Sequence, residues 1–282
     1  MMITRFAPSP TGYLHLGHAL AAWVAYDLAR HEGGRMLLRF EDIDVTRVRP
    51  EYYDAIEEDL HWLGIEWSGV PWRQIDRAAA YQQALEQLQA LDVLYPCFCT
   101  RKEIARMSSA PQQGDGMEGA VYPGICRGLS PEQRQLRMER GDRWAWRLDA
   151  GKAAQHCGPL HFSDRRFGTQ DVDAACLGDV VIARKDIGVS YHLAVVVDDA
   201  AQGVTWVTRG EDLLASTHVH VILQHLLGLS QPQYWHHPLV CDEKGSRLAK
   251  RDDARSLRSL RAEGMSAPDV LRHVQTFLGT GA

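Results

Sequence analysis

His15 and His18 stand where a short apolar run gives way to a longer periodic one, just after a turn of proline, serine, threonine and glycine. The full run is Arg5-Phe-Ala-Pro-Ser-Pro-Thr-Gly12-Tyr-Leu-His15-Leu-Gly17-His18. Gly12 and Gly17 let backbone and nucleotide approach closely, and imidazoles at a helix amino terminus can donate hydrogen bonds to charge developing on a phosphoryl oxygen. Two histidines alone on a helix would read as surface decoration. The turn around them is what points to phosphate chemistry. A second constellation is Cys97-x-Cys99 followed by Tyr122-x-x-x-Cys126. Thiolates are preferred zinc ligands and a closed structural site needs four donors, of which only three here are cysteines. Spacing alone leaves zinc and free buried thiols both open. A third is the basic stretch Arg247-Leu-Ala-Lys250-Arg251, which in isolation reads as a solvated cationic segment.

These residues need a scaffold, and hydrophobic periodicity supplies one. Ile3 to Ala7 reads as a short buried strand, Pro8 to Gly12 as a turn, and Leu14 to Arg30 as a helix. Met36 to Phe40 reads as a second strand, with amphipathic helices over Glu51 to Leu63 and Ala78 to Leu91. Strand alternating with helix predicts a parallel α/β sheet, whose ligands lie beyond the carboxyl ends of the strands. From Tyr95 to about Ser190 the pattern changes to a Gly/Pro/Gln/Ser loop over Ser108 to Gly124, a polar helix near Pro131 to Arg140, and short strands. This stretch reads as an insertion. The α/β pattern then resumes with strands Leu193 to Val197 and Val204 to Thr208, the helix Asp212 to Leu227, the run Tyr234 to Val240 and a basic helical tail. The expected division is a first catalytic half over 1–94, an inserted domain over 95–190, a second catalytic half over 191–245, and a loop with helical tail over 246–282.

Bulk properties narrow the class. A chain of 282 residues with 45% hydrophobic and 24% charged residues describes an ordinary globular protein without a long low-complexity or disordered segment, for which a folded enzyme is the default expectation. The first thirty residues carry prolines, glycines, two histidines and Asp27, so no signal segment or membrane span is expected, and a cytoplasmic protein is. Six irregularly spaced cysteines suit a reducing compartment. A net charge of -5 argues against nonspecific coating of nucleic acid but leaves room for a local basic surface.

The first run resembles the HIGH signature of class I aminoacyl-tRNA synthetases, in the extended form of the glutamyl subgroup. The resemblance continues through Leu37-Leu-Arg39-Phe-Glu41-Asp42-Ile-Asp44-Val-Thr-Arg47, Tyr191-His192-Leu-Ala-Val-Val-Val-Asp198-Asp199 and Thr208-Arg209-Gly-Glu-Asp212-Leu, and ends at Arg247-Leu-Ala-Lys250-Arg251. It therefore spans nearly the whole chain and implies a Rossmann-like parallel sheet with an inserted zinc-containing α+β domain. The last segment is similar to a degenerate KMSKS loop, with Arg247, Ala249 and Arg251 replacing a lysine and two serines.

The resemblance also implies roles. Glutamate carries two carboxylates and an ammonium, so it needs two cationic anchors and an anionic one. Arg5 and Tyr191 would hold its side-chain carboxylate, Arg209 its α-carboxylate, and Glu41 with Ser9 and the Ala7 backbone its ammonium; the planar fork of arginine suits a carboxylate. Gly12, His15, Gly17, His18 and Lys250 would bind ATP, with His15, His18 and Lys250 serving catalysis. Cys97, Cys99, Tyr122 and Cys126 would hold one structural zinc ion, and Mg²⁺ would accompany ATP.

After Lys250 only a short arginine-containing tail follows, with no expected anticodon-reading module. The implied partners are ATP, L-glutamate and tRNA(Asp) carrying queuosine, without a membrane, and a monomer is expected. The implied reaction activates glutamate as glutamyl-adenylate and transfers it to queuosine in the anticodon loop. Arg255, Arg258 and Arg261 on one face of the tail are candidate phosphate contacts. Competing readings are a glutamyl-tRNA synthetase charging a tRNA 3' end, a small-molecule nucleotidyltransferase, and a noncatalytic RNA-binding paralogue.

Overall fold

In the computed structural model, residues 1–100, 102–104, 121–184, 188–241 and 255–279 are described. β1 (Ile3–Phe6) is buried along its whole length, as a central parallel strand must be. It pairs in parallel with β2 (Arg35–Phe40), Ile3 opposite Arg35 and Phe6 opposite Leu38, and β2 pairs with β3 (Trp72–Arg73). The crossover between β1 and β2 is α1 (Leu16–His31), which buries Ala19, Ala22, Ala25, Ala29, Leu20, Val24 and Leu28. Its alanines let it lie close to the sheet, where the Thr4 hydroxyl donates to the Ala25 carbonyl at 2.7 Å. α2 (Pro50–Trp62) and α3 (Ala78–Ala90) follow on the same amphipathic logic.

On the other side of β1 lies β10 (Trp206–Gly210). The Thr205 N–H donates to the Ile3 carbonyl at 2.9 Å, and the Ile3 N–H to the Thr205 hydroxyl at 2.9 Å. β10 pairs in parallel with β11 (Gln233–His237). The chain leaves β1 toward β2 on one side and leaves β10 toward β11 on the other. Their adjacent carboxyl ends therefore form a topological switch point, where a parallel sheet opens a crevice.

A second, antiparallel sheet joins β4 (Leu94–Cys97), β5 (Ala145–Leu148), β8 (Val181–Arg184) and β9 (Gly188–Val189) in that order. The segment between β4 and β9 also sends β6 (His161–Asp164) and β7 (Gly168–Asp171) to complete a sheet of order β10-β11-β6-β7, β6 meeting β11 where Asp164 faces Tyr234. It carries the polar helix α4 (Pro131–Glu139) and a further helix, α5 (Ala150–Cys157), where sequence reading expects only strands. Asp149 nucleates α5 by accepting the Lys152 N–H at 3.0 Å.

One expectation is overturned. Leu193 to Val197 is not a strand but the heart of α6 (Tyr191–Ala201), in which every residue from His192 to Asp199 is buried. A run of five apolar residues satisfies a buried strand and a helix enclosed on all sides equally well, and this helix packs between α3 and α7 (Leu214–Leu226). The tail forms α8 (Leu257–Ala262) and α9 (Ala267–Gln275), whose Leu257, Leu260, Val270 and Val274 enter the same core as α1. Among the described residues no helix is long and apolar enough to cross a membrane.

Candidate functional site

The histidine pair sits at the amino terminus of α1 and builds that terminus. His15 is the N-cap: its Nδ1 accepts the Gly17 N–H at 3.1 Å, while His18 Nδ1 accepts the His15 N–H at 3.2 Å. A nitrogen that accepts from a backbone amide carries no hydrogen, so in both neutral rings the hydrogen rests on Nε2. Two N–H donors are thereby fixed at a helix terminus that already favours anions. A Cβ on Gly17 would stand 3.0 Å from His15 Cε1, so a side chain there would press on the capping ring. The turn carrying Ala7, Ser9 and Gly12 is tied to the second strand by the Glu41 N–H, which donates to the Pro8 carbonyl at 3.0 Å. This bond brings the Glu41 backbone next to Pro8, between Ala7 and Ser9.

At the switch point the charged residues are buried. Arg5 gives Nε to Asp199 at 3.0 Å and Nη1 to the Thr208 carbonyl at 3.1 Å. Arg39, fully enclosed, gives Nη1 to Asp199 and to Gln202, each at 2.8 Å, and its Nη2 lies 3.6 Å from Glu41. Asp198 accepts from the Tyr81 hydroxyl at 2.6 Å and from Arg77 at 3.2 Å. Burial pushes Asp199 up, but Arg5 and Arg39 outweigh it and hold that carboxyl below its usual range. Glu41 is balanced differently. Burial raises it and the arginines only partly pull it back, leaving it at about 7.

Arg209, from β10, is a buried cation with neutral partners. Its Nε donates to His236 Nε2 at 3.0 Å, Nη1 to the Tyr191 hydroxyl at 3.2 Å and to His220 Nδ1 at 3.0 Å, and Nη2 to Thr217 Oγ1 at 2.6 Å. Among the described residues no carboxylate pairs with it. Burial raises the Tyr191 hydroxyl pKa, while the charges of Arg209, Glu41 and Arg5 all act on it. The expected glutamate anchors Arg5, Glu41, Tyr191 and Arg209 thus share one electrostatic neighbourhood.

The sulfurs of Cys97, Cys99 and Cys126 lie within 4.8 Å of one another. Cys99 Sγ is 3.6 Å from Cys126 Sγ and 3.6 Å from the Tyr122 hydroxyl, which also accepts the Cys126 N–H at 2.7 Å. Thiolates bound to zinc at about 2.3 Å in a tetrahedron stand roughly 3.8 Å apart, so the donor set fits that ion. The Cys97 thiol, donating to Cys126, is pushed up to about 12, while Cys126 is drawn down to about 6. Cys157, Cys176 and Cys241 lie outside this group.

Arg247, Lys250 and Arg251 lie outside the described residues. Ser256, six positions after Lys250, pairs with His15 in an antiparallel bridge, and the Leu257 N–H donates to the Leu14 carbonyl at 2.8 Å. Arg255, Arg258 and Arg261 are all exposed; Arg255 pairs with Glu263, Arg258 stacks over Tyr13, and Arg261 pairs with Glu58. Reading the sequence residue by residue misses His220, His236, Thr217 and Asp164. Their signal is faint: imidazoles and a hydroxyl set into otherwise apolar, periodic segments.

A family model, the catalytic domain of class I tRNA synthetases (E and Q), matches residues 1–279. A glutamyl-Q tRNA(Asp) synthetase of Rhodobacter capsulatus is 51% identical over 275 residues, 96% of this chain and 99% of the relative. A glutamate–tRNA ligase of Aquifex aeolicus is 38% identical over 277 residues, 98% of this chain and 57% of the relative. Among solved structures, a glutamate-tRNA synthetase of Elizabethkingia anophelis aligns with a TM-score of 0.79 at 27% identity, covering 97% of this chain and 61% of that one. This chain thus spans nearly all of the first relative and about three fifths of the solved chain.

Proposed function

The chain belongs to the family of class I tRNA synthetase catalytic domains for E and Q, and from that premise we propose that it activates glutamate with ATP and transfers it to queuosine in the anticodon loop of tRNA(Asp). The observation that carries the glutamate half is Arg209, a buried guanidinium surrounded by neutral acceptors and grouped with Tyr191, Glu41 and Arg5. Among the described residues its charge has no carboxylate counterion, which is costly for a buried group, and a substrate carboxylate supplies one. The acceptor half rests on the Rhodobacter relative and its near-complete coverage.

In the first step an α-carboxylate oxygen of glutamate attacks the α-phosphorus of ATP, and the bond to pyrophosphate breaks. Arg209 holds the α-carboxylate, Arg5 through its remaining Nη2 and Tyr191 hold the side-chain carboxylate, and Glu41, Ser9 and the Ala7 backbone hold the ammonium. Nε2–H of His15 and of His18 donate to phosphoryl oxygens at the α1 terminus, Gly12 and Gly17 admit the nucleotide, and Lys250 offsets the charge of the departing pyrophosphate. Mg²⁺ enters with ATP as part of that substrate. In the second step a queuosine hydroxyl attacks the activated carbonyl and AMP leaves. The catalytic body comprises 1–94 and 191–245; the 95–190 segment is held by zinc on Cys97, Cys99, Tyr122 and Cys126, where the ion supplies a rigid cross-link and no chemistry. Arg255, Arg258 and Arg261 meet RNA phosphates.

Glutamate-dependent ATP/pyrophosphate exchange without tRNA tests the first step. Transfer of labelled glutamate to queuosine-containing and queuosine-free tRNA(Asp) tests the second. Exchange is expected, with label only on the queuosine-containing RNA. No exchange would sink the activation, and label independent of queuosine would sink the acceptor.

A further inference from the structure

Asp164, His236, Arg209, His220 and His192 form one unbroken line of buried side chains. His236 Nδ1 meets Asp164 Oδ2 at 2.7 Å, His236 Nε2 meets Arg209 Nε at 3.0 Å, Arg209 Nη1 meets His220 Nδ1 at 3.0 Å, and His220 Nε2 meets His192 Nδ1 at 3.1 Å. A guanidinium only donates, so every imidazole nitrogen that faces it must present a lone pair. His236 therefore carries its hydrogen on Nδ1 and gives it to Asp164. His220 carries its hydrogen on Nε2 and gives it to His192. The two rings are held as opposite tautomers by partners on the sides away from Arg209. The Thr217 hydroxyl closes the group, accepting from Arg209 Nη2 at 2.6 Å and lying 3.0 Å from His236 Nε2. Burial pushes both imidazoles well below the ordinary histidine range, His236 to about 4, so neither becomes a second cation beside Arg209.

We propose that His220 and His236 are positioning residues for glutamate: they fix the plane of the Arg209 fork from two sides without neutralising it, and so reserve its charge for a substrate carboxylate. Carboxylates in their places would satisfy the same donors but cancel the charge. Water there would preserve the charge but lose the plane. Asp164 acts at one remove, accepting the backbone N–H groups of Arg166, Phe167 and His236 at 2.9, 3.0 and 3.1 Å, so that its own position is set before it sets the His236 tautomer. The glutamate part of this inference rests on the functional reading above.

The test combines kinetics with a direct view of the rings. In glutamate-dependent exchange, His220→Leu is expected to raise KM for glutamate by about tenfold or more, with kcat and KM for ATP within about twofold. His220→Gln, whose amide oxygen and nitrogen can replace the accepting and donating ring nitrogens, is expected to recover most of that affinity. Asp164→Asn removes no packing volume, yet it is expected to raise KM for glutamate in the same selective way, because an amide hydrogen facing His236 drives the ring to the other tautomer. It also serves should His220→Leu fail to fold. ¹⁵N spectra of histidine-labelled, unsubstituted protein should show His236 protonated on Nδ1 and His220 on Nε2. The opposite tautomers overturn the proposal, as do substitutions that lower kcat and leave KM for glutamate unchanged. Absence of exchange in the unsubstituted protein would sink the functional reading, and the glutamate part of this inference with it.

Discussion

In its proposed role as an ammonium anchor, Glu41 ties glutamate binding to pH at the scale of a single residue. Its carboxyl titrates at about 7 because burial outweighs the pull of Arg39 and Arg5. Only the ionised form attracts an ammonium, so affinity is full above that value and lost as pH falls through it. KM for glutamate, measured by pyrophosphate exchange between about pH 5.5 and 8, should therefore climb as pH drops below about 7. Glu41→Gln should give a high KM that no longer follows this profile; a titration that persists in the variant belongs to another group. At Arg209, hydrogen bonds to a charged partner are worth about 1.5–3 kcal/mol, so Arg209→Ala should weaken glutamate on the order of 10- to 100-fold. Arg209→Lys should recover little of it, since an ammonium cannot occupy His220, His236, Tyr191 and Thr217 in one plane. Full activity with lysine would show that charge alone suffices.

At the scale of elements, the amino terminus of α1 is where a folding role meets the proposed phosphate role. His15 caps the helix with Nδ1 and leaves Nε2 as its donor. His15→Asn keeps a good N-cap and should leave the urea midpoint near that of the unsubstituted protein, while exchange falls on the order of 100-fold for want of the imidazole donor. His15→Ala should lose activity and, in addition, about 1 kcal/mol of stability. If Asn and Ala destabilise equally, the capping role is wrong. α6 shows where periodicity gives out. Its apolar run reads as a strand, and only packing between α3 and α7 decides for helix. The Asp198–Asp199 pair at its end could have warned of this, for those carboxylates meet Arg5, Arg39 and Arg77 across the sheet.

Over the whole molecule, the tail packs into the first core while the thiol cluster lies within the 95–190 segment. α8 locks against the turn before α1 through Leu257, which is fully buried and bonded to Leu14. Leu257→Ala should cost about 2–5 kcal/mol in urea unfolding. It should also slow adenylate formation, because it loosens the anchor seven residues after Lys250. A stable variant with slow exchange would separate the two effects. In the 95–190 segment, metal analysis of purified protein should find one zinc per chain, absent in Cys126→Ser. Chelation should lower Tm more than it lowers glutamate affinity. Zinc-free protein of unchanged Tm would leave the cluster as ordinary buried thiols.

The sequence by itself determined the parallel α/β class and placed the histidine-bearing turn at the amino terminus of α1, because these depend on short-range spacing and on the chemistry of single side chains. It could not decide the tautomers of His220 and His236, the value at which Glu41 titrates, or the state of the run at Leu193. Each of these is set by what faces it across the core. Arg5 and Asp199, or Asp164 and His236, are far apart along the chain and meet only when β1, β10 and β11 lie side by side. Burial then turns ordinary side chains into partners whose protonation depends on one another.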